Sequence, residues 1–248
     1  MFFRKKFSKI HHVTGVSYPR SGHHLLERLL GLYFGRDFVY CPTYTRDKFA
    51  KEGRITVDMP NTWSYNCSIE QECPNGDHVH FCKNHEWDGR LVPKISGRRY
   101  LVQYRDFLPA VVSSFDQSLL NNNVASRTDP EKKFRTFARR KAKEYREFME
   151  RWVVPQEDGI IRLLVKYEDM IAAPEQTFEK VLCFFGQEGN IDRKRLRAAL
   201  LRVPKNTIVD SKRIIIENSG VKEDRVIEDF AYYSPEFFEE LEKMSRVA

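Results

Sequence analysis

A Tyr-Pro-Arg-Ser-Gly turn near the start of the chain, residues 18–22, has the residue types of an anion-binding loop. A short apolar run precedes it, and leucines at helical spacing follow it as far as Gly35, which predicts a strand, a turn and a helix. Backbone N–H groups and the positive end of the helix dipole would face the turn, where Arg20 adds a permanent charge. The segment predicts a phosphate or sulfate site, with an ordinary strand–helix connection as the plain alternative.

This turn differs from the Walker A phosphate loop. That loop places four residues between its glycines and continues with Lys and then Ser or Thr. Here six residues separate Gly15 from Gly22, and His23 follows. The lysine and the hydroxyl that would bind Mg²⁺ are both missing from their places, so the turn is not a Walker A loop.

A second strand–turn–helix segment follows further along the chain. A β-rich run over residues 99–104 leads to Arg105, and Ser113 follows within a predicted helix. Both side chains can approach one anion at the edge of a parallel sheet. Taken separately, Arg105 could instead pair with Asp106 or Glu168, and the Ser113 hydroxyl could bond back to its own helical turn.

A third segment combines a predicted buried strand over residues 160–166, a turn marked by Pro174 and an amphipathic helix that ends in Phe-Phe-Gly. Tyr167 stands at the end of this strand. Simple packing of an aromatic ring at a strand end is the plain alternative to a ligand contact.

A short β-like run between Asp77 and Trp87 leads to Lys83 and His85. An imidazole, with an ordinary pKa of about 6.5, suits proton abstraction at neutral pH, so His85 is the candidate general base. Lys83 stands two residues earlier and on the same side of an extended chain. Lys83 therefore can reach the anionic groups of a substrate bound beside His85.

The cysteines and histidines between Cys67 and His85 suggest a metal site as an alternative. These soft residues are spaced as Cys-x(5)-Cys and His-x-His-x-Cys, which matches no structural zinc pattern. We therefore expect no metal, and zinc stays the less favoured interpretation. The residues concerned are Cys67, Cys73, His78, His80, Cys82 and His85.

Together the three segments resemble the sulfotransferases that use 3′-phosphoadenosine 5′-phosphosulfate (PAPS). The turn at residues 18–22 resembles the family's 5′-phosphosulfate loop, Tyr-Pro-Lys/Arg-Ser-Gly-Thr. The second segment is similar to its 3′-phosphate motif, Arg-x(7)-Ser, and the third to its Tyr-Glu-Asp element. The resemblance implies PAPS as sulfuryl donor, with contacts from Arg20, Ser21, Gly22, His23, His24, Arg105, Ser113 and Tyr167.

The run that ends at His85 resembles the family's strand-Lys-Thr-His element, which supplies the catalytic base. The resemblance implies that His85 takes the acceptor proton, that Lys83 contacts the sulfuryl oxygens or the leaving phosphate, and that Arg20 offsets charge on the bridging oxygen. Asn84 replaces the family's Thr, and His23 and His24 replace the Thr or Ser residues that follow the glycine. The C-terminal Arg-Lys-Gly nucleotide loop is also missing, and residues 218–224 stand in its place.

The resemblance implies an α/β fold, in which helices flank a mostly parallel central sheet of the P-loop-like sulfotransferase type. The length suits one domain over residues 1–248. Residues 39–76 have few apolar runs and several turn-forming residues, which makes them a candidate substrate-side lid.

The net charge of +7 suits a pocket for an anionic nucleotide and is equally compatible with nucleic-acid binding. The densest basic run, residues 131–143, continues with aromatic residues at helical spacing. We interpret this run as the solvated face of a helix whose aromatic face packs inward. No nucleic-acid partner is therefore expected.

The sequence contains no run of about eighteen apolar residues, and its start lacks the apolar region of a signal peptide. Five cysteines at irregular spacing favour a reducing compartment over a disulfide framework. We therefore expect a cytoplasmic protein without a transmembrane segment, and an anchor could only have stood upstream.

The expected activity is metal-independent sulfuryl transfer to a hydroxyl or amine of a small molecule, carbohydrate or lipid. Two alternatives stay open. One is a nucleotide kinase with an aberrant phosphate loop, and the other is a non-catalytic nucleotide- or RNA-binding protein on the same scaffold.

Overall fold

The computed structural model describes residues 7, 9–41, 79–85, 92, 94–122, 129–154, 159–209, 212–219 and 226–247. Residues 83, 120–122, 204–209 and 212–219 are described by their backbone alone. Most of the candidate lid at residues 39–76 lies outside the described residues.

Five parallel strands form the central sheet, in the order β2-β3-β1-β4-β5. The innermost strand, β1, pairs with β3 on one side and with β4 on the other. This confirms the predicted parallel sheet. The strands are β1 (Val13–Ser17), β2 (Tyr40–Cys41), β3 (Phe81–His85), β4 (Arg99–Tyr104) and β5 (Ile161–Lys166).

Helices connect these strands and follow the last of them. Three begin at a proline, where the missing N–H costs no intrahelical bond, and the capping side chains of Asp129, Asp192 and Ser234 each accept a backbone N–H. The helices are α1 (His23–Phe34), α2 (Phe107–Asn122), α3 (Pro130–Phe148), α4 (Tyr167–Ala172), α5 (Pro174–Leu182), α6 (Arg193–Arg202) and α7 (Pro235–Ser245). A 3₁₀ turn (Gly35–Asp37) follows α1, and π-helical turns follow α3 (Met149–Val153) and α5 (Cys183–Gln187).

Side chains of the central strands alternate between two hydrophobic cores. Tyr100 and Val102 face a core shared with α2, α3 and α7, whereas Leu101 faces a core shared with α1, α5 and α6. This alternation follows from the two-residue period of a strand. Burial on both faces explains why β1 reads as a continuous apolar run with every residue buried.

The sequence predicts a buried strand over residues 160–166. The strand is present as β5, but the predicted burial is wrong. β5 is the last strand of the sheet in the described part of the chain, and Ile161 and Leu164 are 42% and 39% exposed. An apolar run of this length has the same pattern in a central strand and in an edge strand. The position at the edge depends on the strand order, which the local pattern does not contain.

The basic run at residues 131–143 lies on α3, as expected. Phe134, Ala138, Ala142 and Tyr145 are buried on the inner face of this helix, and the arginines and lysines of the other face are mostly exposed. The cluster is therefore the solvated side of a structural helix.

An antiparallel hairpin, β6 (Pro204–Val209) and β7 (Lys212–Ser219), precedes α7. It takes in only the first two residues of the 218–224 segment that replaces the family's C-terminal loop, and residues 220–225 lie outside the described residues. None of the helices in the described ranges has both the length and the apolar character needed to cross a membrane.

Candidate active site at the carboxyl edge of the sheet

The candidate site residues converge where the chain leaves two adjacent central strands in opposite directions. After β1 the chain enters α1 on one face of the sheet, and after β4 it enters α2 on the other face. Such a divergence opens a crevice at the carboxyl ends of the two strands, which is the usual ligand position in open α/β sheets. Arg20 and Arg105 lie on the two connections that flank this crevice.

The turn after β1 has an unusual backbone. Arg20 has φ +70° and is the one non-glycine residue with positive φ in the described part of the chain; Gly22 has φ +79°. Tyr18 anchors the start of the turn, because its N–H donates to the Gln103 carbonyl at 3.0 Å and its hydroxyl donates to the Lys141 carbonyl at 3.2 Å. Burial raises the pKa of the Tyr18 phenol, so it stays protonated as a donor.

Gly22 cannot be replaced without a clash. A Cβ atom at this position would lie 2.5 Å from Cδ2 and 2.9 Å from Cε2 of Tyr167. The Tyr167 ring therefore packs directly on the backbone of the turn, and both the positive φ and this contact require glycine. The structure thus brings two of the sequence-predicted nucleotide contacts together.

The start of α1 suits an anion. Its N-terminal cap, Gly22, makes no side-chain capping bond, in contrast to the capped starts of α3, α6 and α7, and its first turn holds no acidic residue. The Ser21 hydroxyl is buried beside it and has no hydrogen-bond partner among the described residues. A hydroxyl donor and free backbone N–H groups at a helix start fit a phosphate or sulfate oxygen.

Arg105 is buried and held on several sides. Its guanidinium lies 4.4 Å over the Tyr167 ring, its Nε lies 3.8 Å from Glu168 Oε1, and its carbonyl accepts the Tyr145 hydroxyl at 2.8 Å. Glu168 Oε1 also accepts the Asp106 N–H at 3.1 Å, and burial raises the pKa of the Glu168 carboxyl. The sequence left open whether Arg105 binds an anion or pairs with Glu168. The pairing with Glu168 is present in the structure, and Arg105 also lies at the crevice.

Ser113, on α2, contacts the turn and not its own helix. Arg20 Nε donates to Ser113 Oγ at 3.0 Å, and Arg20 Nη1 donates to Gln117 Oε1 at 3.4 Å. The two predicted anion-binding segments therefore meet through these side chains. Gln117 was missed from the sequence, although it lies one helical turn after Ser113 on the same face.

His85, the candidate base, ends β3 directly opposite Ser17 at the end of β1. Its Nδ1 lies 2.8 Å from Ser17 Oγ, which also donates to the Asn84 carbonyl at 3.3 Å. Ser17 was not among the predicted site residues. Lys83 lies in β3 with its backbone paired to Gly15, and its side chain is outside what the structure describes.

The two histidines after Gly22 have different surroundings. The His23 ring is buried, stacks on Phe81 at 5.1 Å between centroids, and has Nε2 3.3 Å from the Tyr40 hydroxyl. His24 is exposed, with Nδ1 3.7 Å from Glu27 Oε2. Nucleotide binding by either ring stays a prediction, whereas both residues contribute backbone to the first turn of α1.

The residues of the alternative metal site are partly engaged elsewhere. His80 Nδ1 accepts the Val39 N–H at 3.0 Å, and the Cys82 thiol faces the Val13 carbonyl at 4.0 Å. Cys67, Cys73 and His78 lie outside the described residues. Within the described ranges, no three potential ligands gather into a metal-binding group.

The solved structures that are similar to this chain include three sulfotransferases. The structure of mouse sulfotransferase SULT7A1 complexed with PAP is similar, with a TM-score of 0.57 and 16% identity over 96% of this chain and 83% of that chain. The sulfotransferase domain from the curacin biosynthetic pathway has a TM-score of 0.43 and 15% identity, over 75% of this chain and 80% of that one. For the sulfotransferase domain of the Synechococcus PCC 7002 olefin synthase, the values are 0.42 and 14%, over 81% and 80%.

No curated protein sequence matches the chain. The family model described as "Sulfotransferase domain" does match it, over residues 11–213. This range contains the turn after β1, His85, Arg105 and Tyr167. Because the match covers most of the chain, the protein belongs to the sulfotransferase family.

Proposed function

We propose that this protein is a PAPS-dependent sulfotransferase that moves a sulfuryl group to an acceptor hydroxyl or amine. The observation that carries the proposal is the 3.0 Å contact from Arg20 Nε to Ser113 Oγ, which joins the two predicted anion-binding segments beside buried Arg105. A donor with phosphate groups at both its 5′ and 3′ positions needs two such sites side by side. The structure bound to PAP, which is 3′,5′-ADP, belongs to a protein of similar fold.

The 5′ side of the nucleotide would be held by the turn and the start of α1. Ser21 and Gly22 supply a buried hydroxyl and a close backbone approach, and Arg20 supplies charge. On the 3′ side, Arg105 and Ser113 would bind the second phosphate. Tyr167, packed between the turn and Arg105, would contact the adenine side of the nucleotide.

PAPS supplies the sulfuryl group for an in-line displacement at sulfur. His85 would take the proton of the acceptor as the acceptor oxygen or nitrogen bonds to sulfur and the bond from sulfur to the bridging oxygen breaks. Arg20 would offset the charge that develops on that oxygen, and it acts electrostatically because a guanidinium does not readily give up its proton. Lys83 would contact the sulfuryl oxygens or the departing phosphate.

We propose a small-molecule, carbohydrate or lipid acceptor, bound on the side of residues 39–76. Neither a metal nor a nucleic acid is part of the proposal. A cytoplasmic location is proposed as well, because five cysteines at irregular spacing favour a reducing compartment.

The nucleotide part of the proposal is tested by comparing thermal shifts with 3′,5′-ADP and with AMP. A ligand at a hundred times its Kd stabilises the folded state by about 2.7 kcal/mol, and we expect a much larger shift with 3′,5′-ADP. Arg105→Ala should remove the difference between the two ligands. Arg99→Ala, at the other end of β4, is the matched control and should keep it. If 3′,5′-ADP and AMP gave equal thermal shifts in wild type and in both variants, the 3′-phosphate assignment would be contradicted.

The chemical part is tested by single-turnover consumption of PAPS with a panel of acceptors. His85→Asn should lower kcat by about 10²–10⁴ and leave the affinity for 3′,5′-ADP nearly unchanged. The control is His80→Asn in the same segment. Turnover should survive EDTA; a requirement for Mg²⁺ together with a preference for ATP would point to a nucleotide kinase instead.

A further inference from the structure

The hydrogen bonds of Ser17 bear on which nitrogen of His85 carries the proton. Ser17 has no solvent exposure and lies on β1, the innermost strand of the described sheet. Its Oγ is 2.8 Å from His85 Nδ1 and 3.3 Å from the carbonyl oxygen of Asn84. The hydroxyl therefore contacts two groups of β3 from one fixed position.

The two contacts are compatible in one arrangement of protons. A serine hydroxyl has one proton to donate, and a carbonyl oxygen only accepts. When Ser17 donates to the Asn84 carbonyl, its oxygen can only accept from His85, so Nδ1 must carry a proton. In a neutral imidazole the other nitrogen, Nε2, then has the lone pair.

We propose that Ser17 is a positioning residue that holds His85 in the Nδ1–H tautomer, and so keeps Nε2 as the basic nitrogen. This inference rests on the proposed role of His85 as general base. The opposite tautomer would place the basic lone pair on Nδ1, facing Ser17. An acceptor substrate cannot reach that lone pair, because the Ser17 hydroxyl is fully buried. The opposite tautomer would also leave the Asn84 carbonyl without the Ser17 proton.

The surroundings keep this geometry in place. Ser17 and His85 are partners in the β1–β3 register, and the Asn84 side chain donates to the Gly15 carbonyl at 3.0 Å, which ties the same two strands together. The His23 ring lies 6.1 Å from the His85 ring in an edge contact. Positioning by fixed backbone and packed rings means that little reorganisation is needed when the proton is taken.

The direct test reads the tautomer without any activity. In protein labelled with ¹⁵N-histidine, two-dimensional spectra at pH 8 separate the protonated ring nitrogen from the unprotonated one, and His85→Asn identifies the signals by their loss. We expect Nδ1–H in wild type and in Ser17→Thr, and a shift towards Nε2–H in Ser17→Ala. Wild-type protein with His85 as Nε2–H would overturn the inference, even if Ser17→Ala failed to fold.

The matched control is Thr14→Val. Thr14 is a fully buried hydroxyl residue of the same strand, and its Oγ1 has no hydrogen-bond partner among the described residues. Its replacement removes a hydroxyl from β1 with little change of shape and should leave the His85 tautomer unchanged. An equal tautomer shift in Thr14→Val would assign the effect to disturbance of the strand and would refute a specific role of Ser17.

Kinetics give the second readout. Ser17→Ala should lower kcat for PAPS consumption by roughly 10–100-fold, the usual effect of losing a group that orients a working side chain, with KM for PAPS nearly unchanged. Ser17→Thr should restore most of the rate. If Ser17→Ala were fully active and His85→Asn inactive, the inference about Ser17 would be refuted and the proposed function would stand. Inactivity of every protein, wild type included, would refute the proposed function, while the spectra still decide the tautomer.

Discussion

Replacement of Gly22 by alanine tests the closest contact in the candidate site. Alanine at φ +79° costs about 1–2 kcal/mol in the left-handed region. Its Cβ would also lie 2.5 Å from Tyr167 Cδ2, and relief of such overpacking typically costs about 1–3 kcal/mol. Gly22→Ala should therefore lower the free energy of unfolding by roughly 2–5 kcal/mol in total. Because Tyr167 must move away from the turn, its packing against Arg105 is disturbed and the affinity for 3′,5′-ADP should fall as well.

The assay is urea unfolding of four proteins that form a double-mutant cycle: wild type, Gly22→Ala, Tyr167→Ala and the double variant. Without the ring, only the backbone strain should remain, so the cycle should give a coupling of about 1–3 kcal/mol. Gly31→Ala is the control, because this glycine is inside α1 and a Cβ there meets nothing within 4 Å. It should stabilise the protein by about 0.5–1 kcal/mol. A coupling near zero would refute the contact between Gly22 and Tyr167.

Three further predictions concern pH and charge. Burial raises the pKa of Glu168 from 4.5, so the folded state binds the carboxyl proton more tightly than the unfolded state does. The contribution of this proton to folding stability is therefore lost as the pH rises through the folded-state pKa. The Tm of Glu168→Gln relative to wild type should therefore increase in thermal scans as the pH rises above 4.5; a constant difference would contradict this. Burial lowers the pKa of His80 from 6.5, so its contribution is present above that pH and is lost as pH falls through the lowered pKa. His80→Asn keeps an acceptor for the Val39 N–H and should lose less stability than wild type when the pH falls below about 6.5. An equal loss of stability in both proteins would refute this prediction. Arg20→Lys should keep substantial PAPS turnover, whereas Arg20→Ala should lose both turnover and nucleotide affinity, and a fully active Arg20→Ala would remove Arg20 from the site.

Local patterns predicted the elements well where the signal was short-ranged. The helix from Gly22 to Gly35 was predicted from its leucine spacing and its terminal glycine, and α1 ends at Phe34 with Gly35 as its cap. The solvated helix of the basic run was predicted from its aromatic periodicity, and α3 has that arrangement. Such patterns depend on neighbouring residues alone, so one sequence contains them.

The edge position of β5 shows where this information ends. Its apolar run predicted a buried strand, yet Ile161 and Leu164 are well exposed because β5 has β4 as its one neighbour in the described sheet. Strand order depends on how helices pack across the sheet and not on the composition of any one strand.

The sequence by itself determined the chemistry that is available: a cation and a glycine in a turn before a helix, a second arginine after a strand, and an imidazole at the end of another. Only the tertiary structure decided which of these groups meet. Arg20 reaches Ser113 across 93 positions of the chain, and Ser17 faces His85 across 68. These contacts depend on strand order and register, which are set by packing over the whole domain, so no local pattern contains them.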